Sequence, residues 1–327
     1  MTGVVARFHM DGADPPTLIA KFPMAEPDVP STYRAVQQRD AAAIRRYYER
    51  CAREVRFYRE IAPRSPTIAP HCYYAAADEA SGRIVLLLED LGAGRAGDVL
   101  RGCSPDDAAP VIAGLASFHA QWWEQPAAFP WLPRWGGTNQ ARQERYALLI
   151  APFLARYGDH LPGPIRALVE RLGTRYGALL AALDATPATI IHADLHLDNI
   201  AFNPVGVTPP AVVLDWQSVC YGPVAVDLAP FIVGALAVEE RRRVADDLVQ
   251  QYHARLLAAG VAEYPIERLR EDCRLALVRQ VAAVVIWLAE ADTEHLAGRE
   301  GALVAAALGD GRLIAALLDC DAASLLS

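Results

Sequence analysis

Short apolar runs dominate the N-terminal part of the chain, and apolar positions at helical spacing dominate the rest. Val4 to Met10 and Thr17 to Phe22 read as strands on either side of the turn signal Asp11-Gly12, which predicts a hairpin. Ala41 to Ile61 follows the helical period. Ile44, Tyr47, Tyr48, Cys51, Val55 and Tyr58 share one broad face, and Pro63, Pro66 and Pro70 end the run. His71 to Ala76 and Arg83 to Leu88 predict a second hairpin across Ala77 to Gly82. From Asp106 onward the pattern is mainly helical, most clearly over Pro110 to Trp122, Gly163 to Leu183, Glu239 to Ala259, Ile266 to Ala291 and Gly301 to Leu318. One β island interrupts it, at Thr189 to Ile191, Ile200 to Asn203 and Ala211 to Leu214. The expected architecture is α+β: a small antiparallel β lobe over residues 1–91, then a larger, mainly helical lobe over 92–327 with a hairpin in its middle. No internal repeat or low-complexity tract is present.

Composition narrows the partners. At 327 residues the chain is about twice the length of an ordinary domain of ~150 residues. With 53% hydrophobic and 21% charged residues it is a folding chain, not a disordered one. A formal net charge of -8 repels phosphate backbones, so no nucleic-acid partner is expected. The longest apolar run, Val281 to Leu288, falls well short of the ~18–20 residues of a membrane span, and Met1 to Val5 has no signal-peptide character. No membrane partner and a cytoplasmic location are therefore expected; oligomeric state is not written in the pattern. Cys51, Cys72, Cys103, Cys220, Cys273 and Cys320 form no C-x-x-C pair and read as reduced, structural thiols.

Two features concentrate chemistry. Of 31 basic residues, 30 are arginine and one is Lys21, at the end of Thr17-Leu18-Ile19-Ala20. A lysine is a compact point charge where arginine is a planar fork; Lys21 is either a surface residue at a strand end or a retained functional ammonium. The second feature is H-A-D-L-H-L-D-N, His192 to Asn199, followed after the next two island strands by Asp215. If the strands pair as a hairpin, the loop and Asp215 meet at one side of the island. Asp194 then offers a carboxylate to a hydroxyl, and Asn199 and Asp215 offer oxygens to Mg²⁺. The plainer alternative is a polar turn held by its own hydrogen bonds.

Other motifs weigh less. Gly92-Ala-Gly94-Arg-Ala-Gly97 is a literal G-x-G-x-x-G, but Cys103, Ser104 and Pro105 interrupt the helix that a dinucleotide site needs, so it reads as a flexible loop. There is no G-x-x-x-x-G-K-[ST] and no G-x-S-x-G. Trp122, Trp123, Trp131 and Trp135 read as packing residues before they read as a ligand cage. Glu290, Asp292 and Glu294 read as a solvated helix end.

On these residues the chain resembles the aminoglycoside phosphotransferase and choline kinase group of protein-kinase-like enzymes, and within it the ecdysteroid-kinase-like branch. The resemblance spans nearly the whole chain. It rests on L-I-A-K-F-P around Lys21, R-E-V-R-F-Y around Glu54, L-L-L-E-D-L at Leu86 to Leu91, S-F-H-A-Q-W-W at Ser117 to Trp123, H-A-D-L-H-L-D-N, L-D-W-Q at Leu214 to Gln217, and G-P-V-A-V-D-L-A ending at Ala229. It implies a bilobed protein-kinase-like fold and an ATP- and Mg²⁺-dependent kinase acting on a hydroxyl-bearing small molecule. An aminoglycoside-type antibiotic is one candidate acceptor, and the branch leans towards bulkier, less cationic alcohols. Lys21 would grip the α- and β-phosphates and pair with Glu54. Asp194 would be the catalytic base or orienting carboxylate, with Asn199 and Asp215 as Mg²⁺ ligands. Glu89, Asp90 and Leu91 would form the hinge that meets adenine. His192 would brace the loop, and Asp227 would hydrogen-bond it. Three departures stand out. Ala193 replaces a common glycine, Trp-Gln follows Asp215 in place of Phe-Gly, and only Thr2-Gly3 stands where relatives carry a strand and glycine-rich turn. The last raises the expectation of an incomplete phosphate lid, with a catalytically impaired nucleotide-binding protein as the alternative function.

Overall fold

Val4–His9 (β1) pairs antiparallel with Thr17–Phe22 (β2), as the turn at Asp11-Gly12 predicts. Cys72–Asp78 (β3) and Arg83–Glu89 (β4) form the second hairpin, giving one antiparallel sheet of order β1-β2-β4-β3. This is a computed structural model; it describes residues 4–12, 14–22, 41–65, 68–92, 94–136, 139–203, 210–290, 298–308 and 311–326. Alternation along β4 buries Ile84, Leu86 and Leu88, with Leu18 and Ala20 of β2 beside them. Ala41–Arg56 (α1) packs on this sheet through Tyr47, Cys51 and Val55, and a π-helical turn over Phe57–Ile61 continues it.

Arg95–Ala96 (β5), Ile200–Phe202 (β7) and Ala211–Val213 (β8) form a second antiparallel sheet, of order β5-β7-β8. The segment expected as a loop after Gly92 therefore carries a short strand, because the Gly97 N–H and the Arg95–Ala96 backbone find partners on β7. This sheet groups with the N-terminal one. One compact unit comprises Met1–Gly97 with Asn199–Val219, the other Asp98–Asp198 with Cys220–Ser327. That grouping differs from a division at Leu91, and the reason is local: the turn after β8 packs on α1.

The second unit holds Pro105–Gln121 (α2), Asn139–Tyr157 (α3), Gly163–Asp184 (α4), Ala225–Ala235 (α5), Val238–Ala258 (α6), Ile266–Glu290 (α7), Gly298–Leu308 (α8) and Arg312–Asp319 (α9). α2 begins five residues before the expected Pro110, since the Ser104 hydroxyl accepts from the Asp107 N–H at 3.1 Å and Pro105 suits the first turn. The single helix expected over Gly301 to Leu318 is two helices, in keeping with the low helix propensity of Gly309 and Gly311 between them. Ala188–Ile191 (β6) pairs with Cys220–Pro223 (β9), while β7 pairs with β8. The island is thus two separate ladders. Among the described residues no helix is long and apolar enough to cross a membrane.

At Gly222 on β9, an added Cβ would lie 2.5 Å from the Trp135 Cβ and 2.9 Å from the Ile191 Cδ1. The Ile191 methyl can turn aside, but the Trp135 Cβ is fixed to its backbone and cannot. Gly222→Ala is expected to cost about 1–3 kcal/mol through overpacking, read as a lower urea midpoint.

Candidate active site

Three side chains meet in the first unit. Lys21 stands on β2 opposite Leu86. Its ammonium donates to both oxygens of Glu54, at 2.9 and 2.7 Å, and to Oδ1 of Asp215 at 2.6 Å. Lys21 is only 8% exposed and Glu54 1%, which removes the surface-lysine alternative. Burial pulls the Lys21 pKa down, but Glu54 and Asp215 more than offset it, so it lies above its ordinary value and the group is charged at neutral pH. Burial pushes the Glu54 carboxyl up, and Lys21 restrains that rise. Two carboxylates on one ammonium leave a local surplus of negative charge, which a cation would offset.

Helix α1 fixes where Asp215 points. Arg50, Glu54 and Phe57 fall on one strip at i, i+4 and i+7, and all three hold the turn after β8. Arg50 Nη2 donates to the Ser218 hydroxyl at 3.1 Å, and the Trp216 backbone N–H donates to Glu54. The Phe57 ring stacks on Trp216 with centroids 4.0 Å apart and planes 7° from parallel. Trp216 Nε1 donates to the Val213 carbonyl at 3.0 Å. Within this clamp Asp215 has φ 61° and ψ 61°, a left-handed conformation that costs a residue with a side chain about 1–3 kcal/mol. Gln217 Nε2 donates to its Oδ2 at 3.0 Å. The Leu214 N–H donates to the Asn199 carbonyl at 2.8 Å, so Asn199 and Asp215 share one end of the β7–β8 hairpin. An amide and a carboxylate oxygen there are donors of the hard kind that Mg²⁺ takes, few in number, with phosphates and waters left to complete the shell. Among the described residues no group of three or more His, Cys, Asp or Glu side chains is arranged to hold a metal.

The expected hinge residues start at Glu89, the last residue of β4. The Glu89 N–H is spent on the His71 carbonyl at 2.8 Å, and its carboxylate accepts from the His71 N–H at 3.1 Å. Asp90 accepts from Arg7 at 2.7 and 3.0 Å and from the Gly92 N–H at 3.0 Å. Burial raises the Asp90 pKa, but these donors outweigh it and hold the carboxyl below its ordinary value. The Leu91 carbonyl accepts from the Gly94 N–H at 3.2 Å.

Asp194 belongs to the second unit, on the loop leaving β6. Asp227, fully buried in the first turn of α5, accepts from the His192 N–H at 2.7 Å and from the Ala193 N–H at 2.8 Å. His192 is also fully buried, and its Nδ1 accepts from the Asp194 N–H at 3.2 Å, which places the proton of a neutral ring on Nε2. Ala193 has φ 64°. That conformation costs alanine about 1 kcal/mol more than glycine. Above this frame Asp194 is 47% exposed, with His196 Nε2 at 3.9 Å. Sequence reasoning gave no role to a buried layer below. His119 Nδ1 meets the Tyr252 hydroxyl at 2.7 Å, its Nε2 lies 3.5 Å from Asp227, and its carbonyl accepts from the Thr189 hydroxyl at 2.7 Å. The only signal was the S-F-H-A-Q-W-W run itself. Trp122 and Trp135 are buried packing residues; Asp292 and Glu294, like Thr2 and Gly3, lie outside the described residues.

A small antiparallel sheet together with a larger helical part is the fold of protein-kinase-like small-molecule phosphotransferases. The choline kinase of Cryptosporidium parvum Iowa II matches with a TM-score of 0.57 at 12% identity, over 98% of this chain and 88% of that one. Aminoglycoside 2'-phosphotransferase-IIIa in its GDP complex matches with 0.56 at 13%, over 99% and 92%. Amicoumacin kinase hAmiN, in complex with AMP-PNP, Ca²⁺ and Ami, matches with 0.50 at 12%, over 98% and 86%. The chain belongs to the phosphotransferase enzyme family, whose sequence model matches residues 12–268. No curated protein sequence matches it.

Proposed function

We propose that this phosphotransferase moves the γ-phosphate of ATP to a hydroxyl of a small molecule. The observation that carries the reading is the buried Lys21–Glu54–Asp215 triad: a lone lysine held rigid between two carboxylates, one of them on a strained turn. Phosphoryl transfer asks the protein for positioning and charge, and little covalent chemistry. Lys21 holds the α- and β-phosphates, with Glu54 setting its direction. Asn199 and Asp215 hold Mg²⁺, which supplies charge neutralisation at the transferring phosphate. Asp194 orients the acceptor hydroxyl and takes its proton, on a loop that Asp227 fixes through two backbone N–H groups. Glu89, Asp90 and Leu91 border the base. The nucleotide-bound relatives named above support nucleotide use, GDP in one and AMP-PNP in another.

The test is calorimetric titration of MgATP and MgGTP into the full chain, with and without EDTA. MgATP is expected to bind, and chelation to weaken binding by at least roughly tenfold, since a metal contributes several kcal/mol at phosphate oxygens. Wild-type protein that binds neither nucleotide overturns the reading. ATP affinity that EDTA leaves unchanged removes Asn199 and Asp215 as metal ligands.

A further inference from the structure

Trp135 carries two arginines. The guanidinium carbons of Arg142 and Arg279 lie 4.5 and 5.3 Å from its ring centroid. That of Arg142 lies 5.6 Å from the Tyr176 ring. Two cations on one buried indole need counter-charge, and elsewhere the chain supplies it: Arg241, the most buried arginine among the described residues, is paired with Asp319. Among the described residues neither Arg142 nor Arg279 has a carboxylate within 4.0 Å. Among the same residues, with five N–H donors each, Arg142 makes one hydrogen bond, to the Tyr176 hydroxyl at 3.3 Å, and Arg279 one, to Gln280 Oε1 at 3.2 Å. Arg142 Nη1 and Arg279 Nε are shut off from solvent without an acceptor. Burial, with Arg279 adding to it, outweighs the opposing pull of Tyr176 and Asp184 and holds the Arg142 pKa below its ordinary value.

The cluster also has an address. Trp135 packs on Gly222 of β9 beside Ile191 of β6, and its backbone N–H donates to the Tyr221 carbonyl at 2.8 Å. Ile191 is three residues before Asp194, a reach of at most about 11 Å of chain. That is the length of a small molecule. We infer that Arg142 and Arg279, presented by Trp135, form an anion subsite for the phosphate acceptor, so that the acceptor is a hydroxyl compound carrying a carboxylate or another oxyanion. The subsite's place as an acceptor site rests on the kinase reading; its affinity for anions does not. The guanidinium nitrogens that are not shut off from solvent offer N–H groups to a carboxylate. The same two charges repel a polycationic aminoglycoside.

The experiment uses the full chain, ¹⁵N-labelled, with the Arg142 and Arg279 side-chain Nε–H signals assigned by their loss in Arg142→Gln and Arg279→Gln. Titration with gluconate is expected to shift both signals, and titration with the uncharged glucitol to shift neither. Gluconate binding should weaken about 10- to 100-fold in each variant, the worth of a charged hydrogen bond. Urea midpoints and MgATP affinity show whether the variants remain folded. In an ADP-release assay, gluconate-type acceptors should outpace both glucitol and an aminoglycoside. Gluconate that shifts neither signal, or binds both variants as tightly as wild type, overturns the subsite. So does efficient transfer to an aminoglycoside with Arg142 and Arg279 unperturbed. Gluconate binding alongside absent MgATP binding would instead fell the kinase reading and leave the anion subsite standing.

Discussion

Asp194→Asn is expected to lower phosphate transfer by about 10²- to 10⁴-fold, the span that a positioned proton acceptor contributes. MgATP binding should be unchanged. The expectation separates chemistry from folding because of where Asp194 sits. Its side chain is about half exposed, and its backbone N–H, not its carboxylate, is what His192 Nδ1 holds. Asp227 fixes the loop one and two residues earlier. An exposed, isosteric change should therefore leave the unfolding free energy, read from urea curves, within about 0.5 kcal/mol of wild type. The check is ADP release with an accepted hydroxyl compound, beside the unfolding curve. Turnover at the wild-type rate would remove Asp194 from the reaction.

The elements that were legible in the sequence are those with one clean period. β4 shows it best, with Ile84, Leu86 and Leu88 alternating against the sheet's other face, and α1 with Tyr47, Cys51 and Val55. α3 and α5 were harder to read because each carries an interior proline, Pro152 and Pro230, and α5 is apolar on nearly every side. β5 and β9 are short segments whose strand character comes only from partners more than twenty residues away. The site residues themselves were legible as residue types at spacings: one lysine in an arginine-rich chain, and Asp-x-x-x-x-Asn before a hairpin and an aspartate. Their supports were not. The stack of Phe57 on Trp216, the bond from Gln217 to Asp215, and the layer of His119 and Tyr252 beneath Asp227 are long-range or local contacts that no periodicity announces. The Trp135 cluster shows the same limit in reverse. Its aromatic residue reads as packing, and it does pack; what the pattern hides is that it carries two cations, neither with a carboxylate within 4.0 Å among the described residues.

Lys21→Ala is expected to have the largest effect on both stability and binding. Removing the ammonium strands Glu54, which is 1% exposed, and leaves Asp215 in a strained turn without its main partner. Breaking one side of a buried charge pair costs about 3–5 kcal/mol, because the remaining charge stays desolvated. The loss should depend on pH with a definite sign. Lys21 has a raised pKa, so its contribution is complete below the ordinary 10.5 and fades only above that, which leaves it constant at neutral and acid pH. Glu54 is raised in the fold, so the folded state binds the extra proton and is favoured as pH falls towards the ordinary 4.5. Without Lys21 that rise is larger. The gap in urea midpoint between wild type and variant should therefore narrow from mildly alkaline to mildly acidic buffer. Adding Glu54→Gln to the variant should recover part of the stability, since the stranded charge is gone. It should not recover MgATP binding, because no cation remains for the phosphates. Full MgATP affinity in Lys21→Ala would refute the phosphate role of Lys21, and a midpoint gap that widens on acidification would refute the stranded Glu54.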